Sequence, residues 1–142
     1  DNVTDCSRDS IINAYDNTIL YTDTVLADII QLQQKLSAQY DTAMLYMSDH
    51  GESLGENGLY LHGLPYAISP NEQRHIPFIA WISPQFAEHT GLDLECIKKH
   101  TDAKYSHDNL FHTVLGLFDV QTTVYSPKLD VFNPCRHTPS LP

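Results

Sequence analysis

The stretch Ala43-Met44-Leu45-Tyr46-Met47-Ser48-Asp49-His50-Gly51 decides the fold class. Five apolar residues lie between polar flanks, too short a run for a typical helix, and read as a buried strand of a parallel sheet. Upstream, Ile12, Tyr15, Ile19, Leu26, Ile29 and Leu36 recur at steps of three, four or seven. That spacing predicts a helix over roughly 10–39 with one apolar stripe, which should pack on something. Downstream, residues 51–74 read as loop, rich in Gly, Asn and Pro. A second strand is expected over His75–Ile82, with Pro77 near its start or on an edge. A short helix is expected around Leu94–His100. A longer one spans His107–Phe118 behind Ser106 as N-cap, and the chain after Tyr125 is irregular. Helix, strand, loop, strand, helix is α/β ordering. Two strands make a poor sheet alone, so its completion is expected from residues outside this chain.

With 142 residues, the chain fits one domain or part of a larger one. Its 42% hydrophobic content suffices for a core, and no run approaches the ~18–20 apolar residues that span a bilayer. Eighteen acidic against eight basic side chains leave a formal charge of −10, a poor match for a phosphate backbone. Nucleic acid is therefore not an expected partner. Cys6, Cys96 and Cys135 lie at neither zinc-finger nor redox spacing. An exported protein could pair Cys96 with Cys135 and leave Cys6 to a partner outside this chain; a cytosolic one would keep three buried thiols, and the count alone does not decide.

Ligands collect at the carboxyl ends of strands in open α/β sheets, where Asp49-His50 sits. One carboxylate oxygen and one imidazole nitrogen suit a borderline cation such as zinc. Adjacent strand residues point to opposite faces, but Gly51 lets the backbone turn so that both can meet one ion. The bland reading is an Asp capping the next turn beside a surface His. Twelve residues on, His62 closes the glycine-rich loop, which can fold back on His50. There His62 would bind a second cation or a phosphate oxygen, or stay a satisfied loop histidine. Glu52 and Glu56 read as acid–base or metal groups, or as a solvated loop edge that holds backbone amides. The other histidines (His75, His89, His100, His107, His112 and His137) read as structural.

Four motifs carry a family resemblance: Asn13-Ala14-Tyr15-Asp16-Asn17-Thr18, the run Ser48-Asp49-His50-Gly51-Glu52-Ser53-Leu54-Gly55-Glu56-Asn57-Gly58, Tyr60-Leu61-His62-Gly63, and Ser106-His107-Asp108-Asn109-Leu110-Phe111. Together they resemble the lipid A phosphoethanolamine transferases, which include the mobile colistin-resistance enzymes. That family lies in the alkaline phosphatase and sulfatase superfamily. The resemblance implies a partial sulfatase-like parallel-sheet sandwich with flanking helices. Residues 1–142 would be the C-terminal portion of a periplasmic catalytic domain. Its first part and an N-terminal membrane domain would lie outside the chain, anchoring the protein at the periplasmic face of the bacterial inner membrane.

Zinc is the implied cofactor, held by a Glu, a Thr nucleophile and an Asp-His pair. The pair falls on Asp49 and His50; the Glu and the Thr fall outside this chain. His62 falls on a histidine that binds the substrate phosphate or a second metal. Cys6 would be half of a family disulfide. The implied reaction moves phosphoethanolamine from phosphatidylethanolamine to the Thr and on to a lipid A phosphate, masking charge that attracts polymyxin. Residues 1–142 by themselves are then expected to be inactive. Another phosphatase, sulfatase or phosphoglycerol transferase of the superfamily is the nearest alternative. A non-catalytic metal-binding or interaction module is the more distant one.

Overall fold

A computed structural model describes residues 3–137 as two compact units, one running to Trp81 and the other starting at Ile82. After a 3-10 turn at Val3–Asp5, the first unit carries helix α1, Arg8–Leu36, and strands β1, Ala43–Met47, β2, Ser53–Leu54, and β3, Tyr60–Leu61. Strand β4, Phe78–Ile82, bonds to β1 and leads into the second unit. That unit carries α2, Pro84–Thr90, α3, Leu94–Lys99, and α4, His107–Leu117.

Local chemistry accounts for the helix ends. The Ser7 hydroxyl accepts from Ser10 N–H and starts α1, and the Ser37 N–H closes it on the Gln33 carbonyl. Such caps satisfy backbone groups that the helix itself leaves unpaired. The apolar stripe does not pack as expected. Ile12, Tyr15 and Leu26 are half-buried, whereas Ile19, Ile29 and Leu36 are exposed, together with Leu20, Tyr21, Val25 and Leu32. The helix carries more apolar surface than the short strands beside it cover. From its inner side, Gln33 Nε2 donates to the Ala43 carbonyl and ties the helix to the start of β1.

The two strands read from sequence are present, although β4 begins at Phe78 and not at His75. Pro77 has no N–H to give a ladder, so pairing starts immediately after it. The segment expected to be pure loop contains an antiparallel hairpin, with Ser53 opposite Leu61 and Leu54 opposite Tyr60. Gly55 (φ 107°) and Asn57 (φ 53°) take the left-handed conformations its turn requires.

In the second unit α2 is an element the periodicity did not reveal. Its marks are nevertheless present in the sequence: Ser83 caps Phe86 N–H, Pro84 fills the first position, and Gly91 ends the helix at φ 67°. Asp93 caps α3 by accepting from Glu95 and Cys96 N–H, which hold its carboxyl below the usual range, the Cys96 bond foremost. Ser106 caps α4 as expected, and Asn109 returns the bond to the Ser106 N–H in a full capping box.

The segment after Tyr125 is irregular but firmly bound. Thr113, fully buried, accepts from Val131 N–H, and Asn109 Nδ2 donates to the Leu129 carbonyl. Phe132 and Cys135 are buried beside it. A disulfide joins Cys96 to Cys135 with 5.5 Å between their Cα atoms, while Cys6 is an exposed free thiol. The last residues of the irregular tail, 138–142, lie outside the described residues.

Candidate functional site

Strand β1 ends at Met47 and delivers Ser48, Asp49 and His50 to a tight turn closed by the Ser48 hydroxyl on the His50 carbonyl. His50 Nδ1 lies 2.9 Å from the Gly51 carbonyl and donates to it. That bond places the ring proton on Nδ1 and leaves the Nε2 lone pair outward. An Asp49 carboxylate oxygen stands 3.6 Å from this Nε2. Zinc held at about 2.0–2.2 Å by a nitrogen and an oxygen in a tetrahedral arrangement separates them by roughly 3.4 Å. The pair therefore presents a nitrogen and an oxygen at a spacing one zinc ion can bridge. Donation from the His50 N–H, and then from its own N–H, lowers the Asp49 carboxyl below its ordinary range and keeps it ionised. Its side chain is 88% exposed, open to a ligand.

Gly51 is needed at the next position. Any Cβ there would collide with the Glu72 carbonyl oxygen, and the Gly51 N–H donates to the Gln73 carbonyl at 3.1 Å. Residues 71–74 are thereby clasped to the strand end. A buried chain of side chains reinforces the clasp: Ser69 Oγ donates to Gln73 Oε1, and Gln73 Nε2 donates to Ser53 Oγ at 2.8 Å.

The hairpin brings His62 back. Leu61, at φ 63°, turns the chain in a conformation uncommon for a bulky residue, and the His62 ring comes to rest 3.7 Å from the His50 ring, centroid to centroid. Glu52 lies between them. Its carboxylate accepts from His62 Nδ1 at 2.9 Å and stands 3.7 Å from His50 Nδ1. The bond to Glu52 again leaves the Nε2 of His62 free of the ring proton.

Ligand atoms of His50, Glu52 and His62 all lie within 4.8 Å of one another, two nitrogens and a carboxylate oxygen, a donor set that zinc accepts. A second such group among the described residues, Cys96, His100 and Cys135, has both sulfurs tied up in the disulfide. Glu56, by contrast, holds the Leu54 N–H at 2.7 Å and faces Arg8, so it braces the hairpin.

Thus the structure brings together Asp49, His50 and His62, and it sets Glu52, read from sequence as an acid–base or metal group or a loop edge, against His62 as the group that orients its ring. The available signal for Glu52 was its place two residues after His50 in a loop that returns. His112 accepts from the Ser126 N–H, and His100 donates to the Cys96 carbonyl.

Beside the two rings is a cavity of about 280 Å³, lined by His50, His62, Tyr66, Ser69, Gln73 and Arg74 among others. A metal held beside such a hollow would suit binding and polarisation of an oxyanion.

Comparison with known proteins places the chain in a family. The family model described as Sulfatase matches residues 1–120. Phosphoethanolamine transferase EptA of Salmonella typhimurium is 46% identical over 135 residues, 94% of this chain and 25% of that protein. Phosphatidylethanolamine transferase Mcr-1 of Escherichia coli is 50% identical over 115 residues, 81% of this chain and 20% of that protein. The chain thus spans about a quarter or less of the curated relatives it matches. Among solved structures, the soluble domain of lipooligosaccharide phosphoethanolamine transferase A from Neisseria meningitidis superposes with a TM-score of 0.89 at 42% identity, covering 96% of this chain and 41% of that one. The expected α/β sulfatase-like fold is therefore present, and the chain belongs to the sulfatase family, where its likeness is to the phosphoethanolamine transferases.

Proposed function

We propose that this chain is part of a zinc-dependent transferase that moves phosphoethanolamine from phosphatidylethanolamine to a phosphate of lipid A. The observation that carries the reading is the pair of donors at the end of β1, Asp49 Oδ2 and His50 Nε2, 3.6 Å apart. Their motif is shared with a family in which the resemblance assigns the pair to zinc. The disulfide supports an oxidising compartment, in keeping with the periplasmic face of the inner membrane. No helix among the described residues is long and apolar enough to cross a membrane.

Zinc in such a site supplies Lewis-acid polarisation and lowers the pKa of a coordinated nucleophile. The residues of this chain do the rest by position. Asp49 and His50 would hold the ion, with a carboxylate kept ionised by backbone N–H groups and an imidazole whose tautomer is set by the Gly51 carbonyl. His62, fixed at Nδ1 by Glu52, would offer its Nε2 to a phosphoryl oxygen or to a second cation. Residues 1–142 alone would carry neither the Thr nucleophile nor the Glu ligand that the family resemblance calls for.

Zinc stoichiometry of the full-length protein tests the reading, with Asp49→Ala and His50→Ala assayed beside the unaltered protein for transfer from phosphatidylethanolamine. The expected result is loss of one tightly bound zinc and a fall in transfer of at least about 100-fold. Full zinc and full transfer in both variants would return the pair to a turn cap beside a surface histidine. Turnover of simple sulfate esters in place of phosphatidylethanolamine would select the sulfatase alternative.

A further inference from the structure

The cavity beside His50 and His62 has a cation on its wall. Arg74 follows the clasp at Gly51–Gln73, so its backbone is fixed relative to His50 by the Gly51 N–H bond and the buried Gln73–Ser53 pair. Its guanidinium lies over the Tyr66 ring, 4.9 Å from the centroid, and Nη2 donates to Asn71 Oδ1 at 3.1 Å. Both partners are neutral. Stacking occupies the face of the guanidinium and leaves most of its five edge N–H groups free. None of the residues lining the cavity is acidic, in a chain whose net charge is −10. The long-range field of such a chain repels anions, so an anionic ligand must be held by positive charge at the point of contact.

We propose that Arg74 is an oxyanion-binding residue of this site, its planar fork gripping oxygens of a phosphate group while Tyr66 and Asn71 hold it in place. This rests on the transferase reading only for the identity of the phosphate, which is carried by the donor phospholipid or by the acceptor. A planar, fixed fork matches two phosphate oxygens at once, which a lysine ammonium does not.

The test uses full-length protein carrying Arg74→Ala, Arg74→Gln or Arg74→Lys. Zinc content, KM for phosphatidylethanolamine and KM for lipid A are measured, along with the affinity of the zinc-loaded protein for inorganic phosphate. Removing a charged hydrogen-bond partner of phosphate is expected to raise one KM and weaken phosphate binding by about 10- to 100-fold, with zinc content unchanged. Lysine should restore part of the loss and glutamine none of it. A rise in the phospholipid KM assigns Arg74 to the donor, and a rise in the lipid A KM assigns it to the acceptor. Unchanged phosphate affinity and unchanged KM values in Arg74→Gln, which keeps a donor for Asn71, would overturn the proposal even if Arg74→Ala fails to fold. If the unaltered protein transfers nothing from phosphatidylethanolamine, the transferase reading falls. The phosphate titration then still decides whether Arg74 binds an oxyanion.

Discussion

At the scale of single residues, the site depends on a glycine as much as on its ligands. Gly51 lies against the Glu72 carbonyl and donates to Gln73, so the strand end carrying Asp49 and His50 is locked to the segment carrying Arg74. Gly51→Ala must push that segment away. A loss of roughly 1–3 kcal/mol is expected in urea unfolding, as for other overpacked contacts. Zinc affinity should fall with it, because the His50 tautomer is set by the Gly51 carbonyl. The Ser-Asp-His-Gly motif was legible as a candidate ligand pair from residue chemistry alone. What the tertiary structure adds is the carboxylate of Glu52 between two imidazoles and the placement of Arg74 on the wall of the adjoining cavity. Those are contacts between residues ten or more apart or across a clasp, and no local pattern encodes them.

Among the elements, helix α4 is held by a strap of chain rather than by its cap alone. Tyr125 OH donates to Asp130 Oδ2 at 2.7 Å, Asp130 Oδ1 accepts from Phe132 N–H, and Arg136 donates to the Gly116 carbonyl near the end of α4. Burial, with the Asp130 carboxylate next, pushes the Tyr125 hydroxyl up to about 12 from the ordinary value of 10.0. The folded state thus favours the protonated phenol. Its contribution to stability is complete below pH ~10 and is lost as the pH rises through about 12. Urea unfolding followed between pH 9 and 12 should show a steeper decline for the unaltered protein than for Tyr125→Phe, which starts less stable and lacks that titration. Caps and periodicity predicted α1, α3 and α4 because those signals are local. Helix α2 escapes that signal despite Ser83, Pro84 and Gly91, since its seven residues are too few for a periodic stripe to register.

At the scale of the whole molecule, the disulfide is the covalent device that the second unit contains. It closes a loop with a sequence separation of 39 residues, joining α3 to the 3-10 turn at Asn133–Cys135. Chain-entropy reasoning gives such a closure about 4 kcal/mol. Adding a dithiol reductant to the full-length protein should move unfolding of this unit to lower denaturant by a corresponding amount, with zinc content unchanged because the candidate ligands lie in the first unit. The count of three cysteines left the pairing open. The 5.5 Å between the Cα atoms of Cys96 and Cys135 decided it.

The α/β class, the principal strands, three of the helices and the chemistry available at the end of β1 are readable in the order of residues alone. Each of these rests on hydrogen bonds and apolar patterning within a few consecutive residues. Tertiary structure alone decided that α1 keeps much of its apolar stripe exposed, and that His62 returns to His50 with Glu52 between them. It also decided that Gly51 clasps Gln73 and carries Arg74 to the cavity wall. Those outcomes depend on which distant surfaces meet. Loop closure and packing settle that, and a one-dimensional pattern records neither.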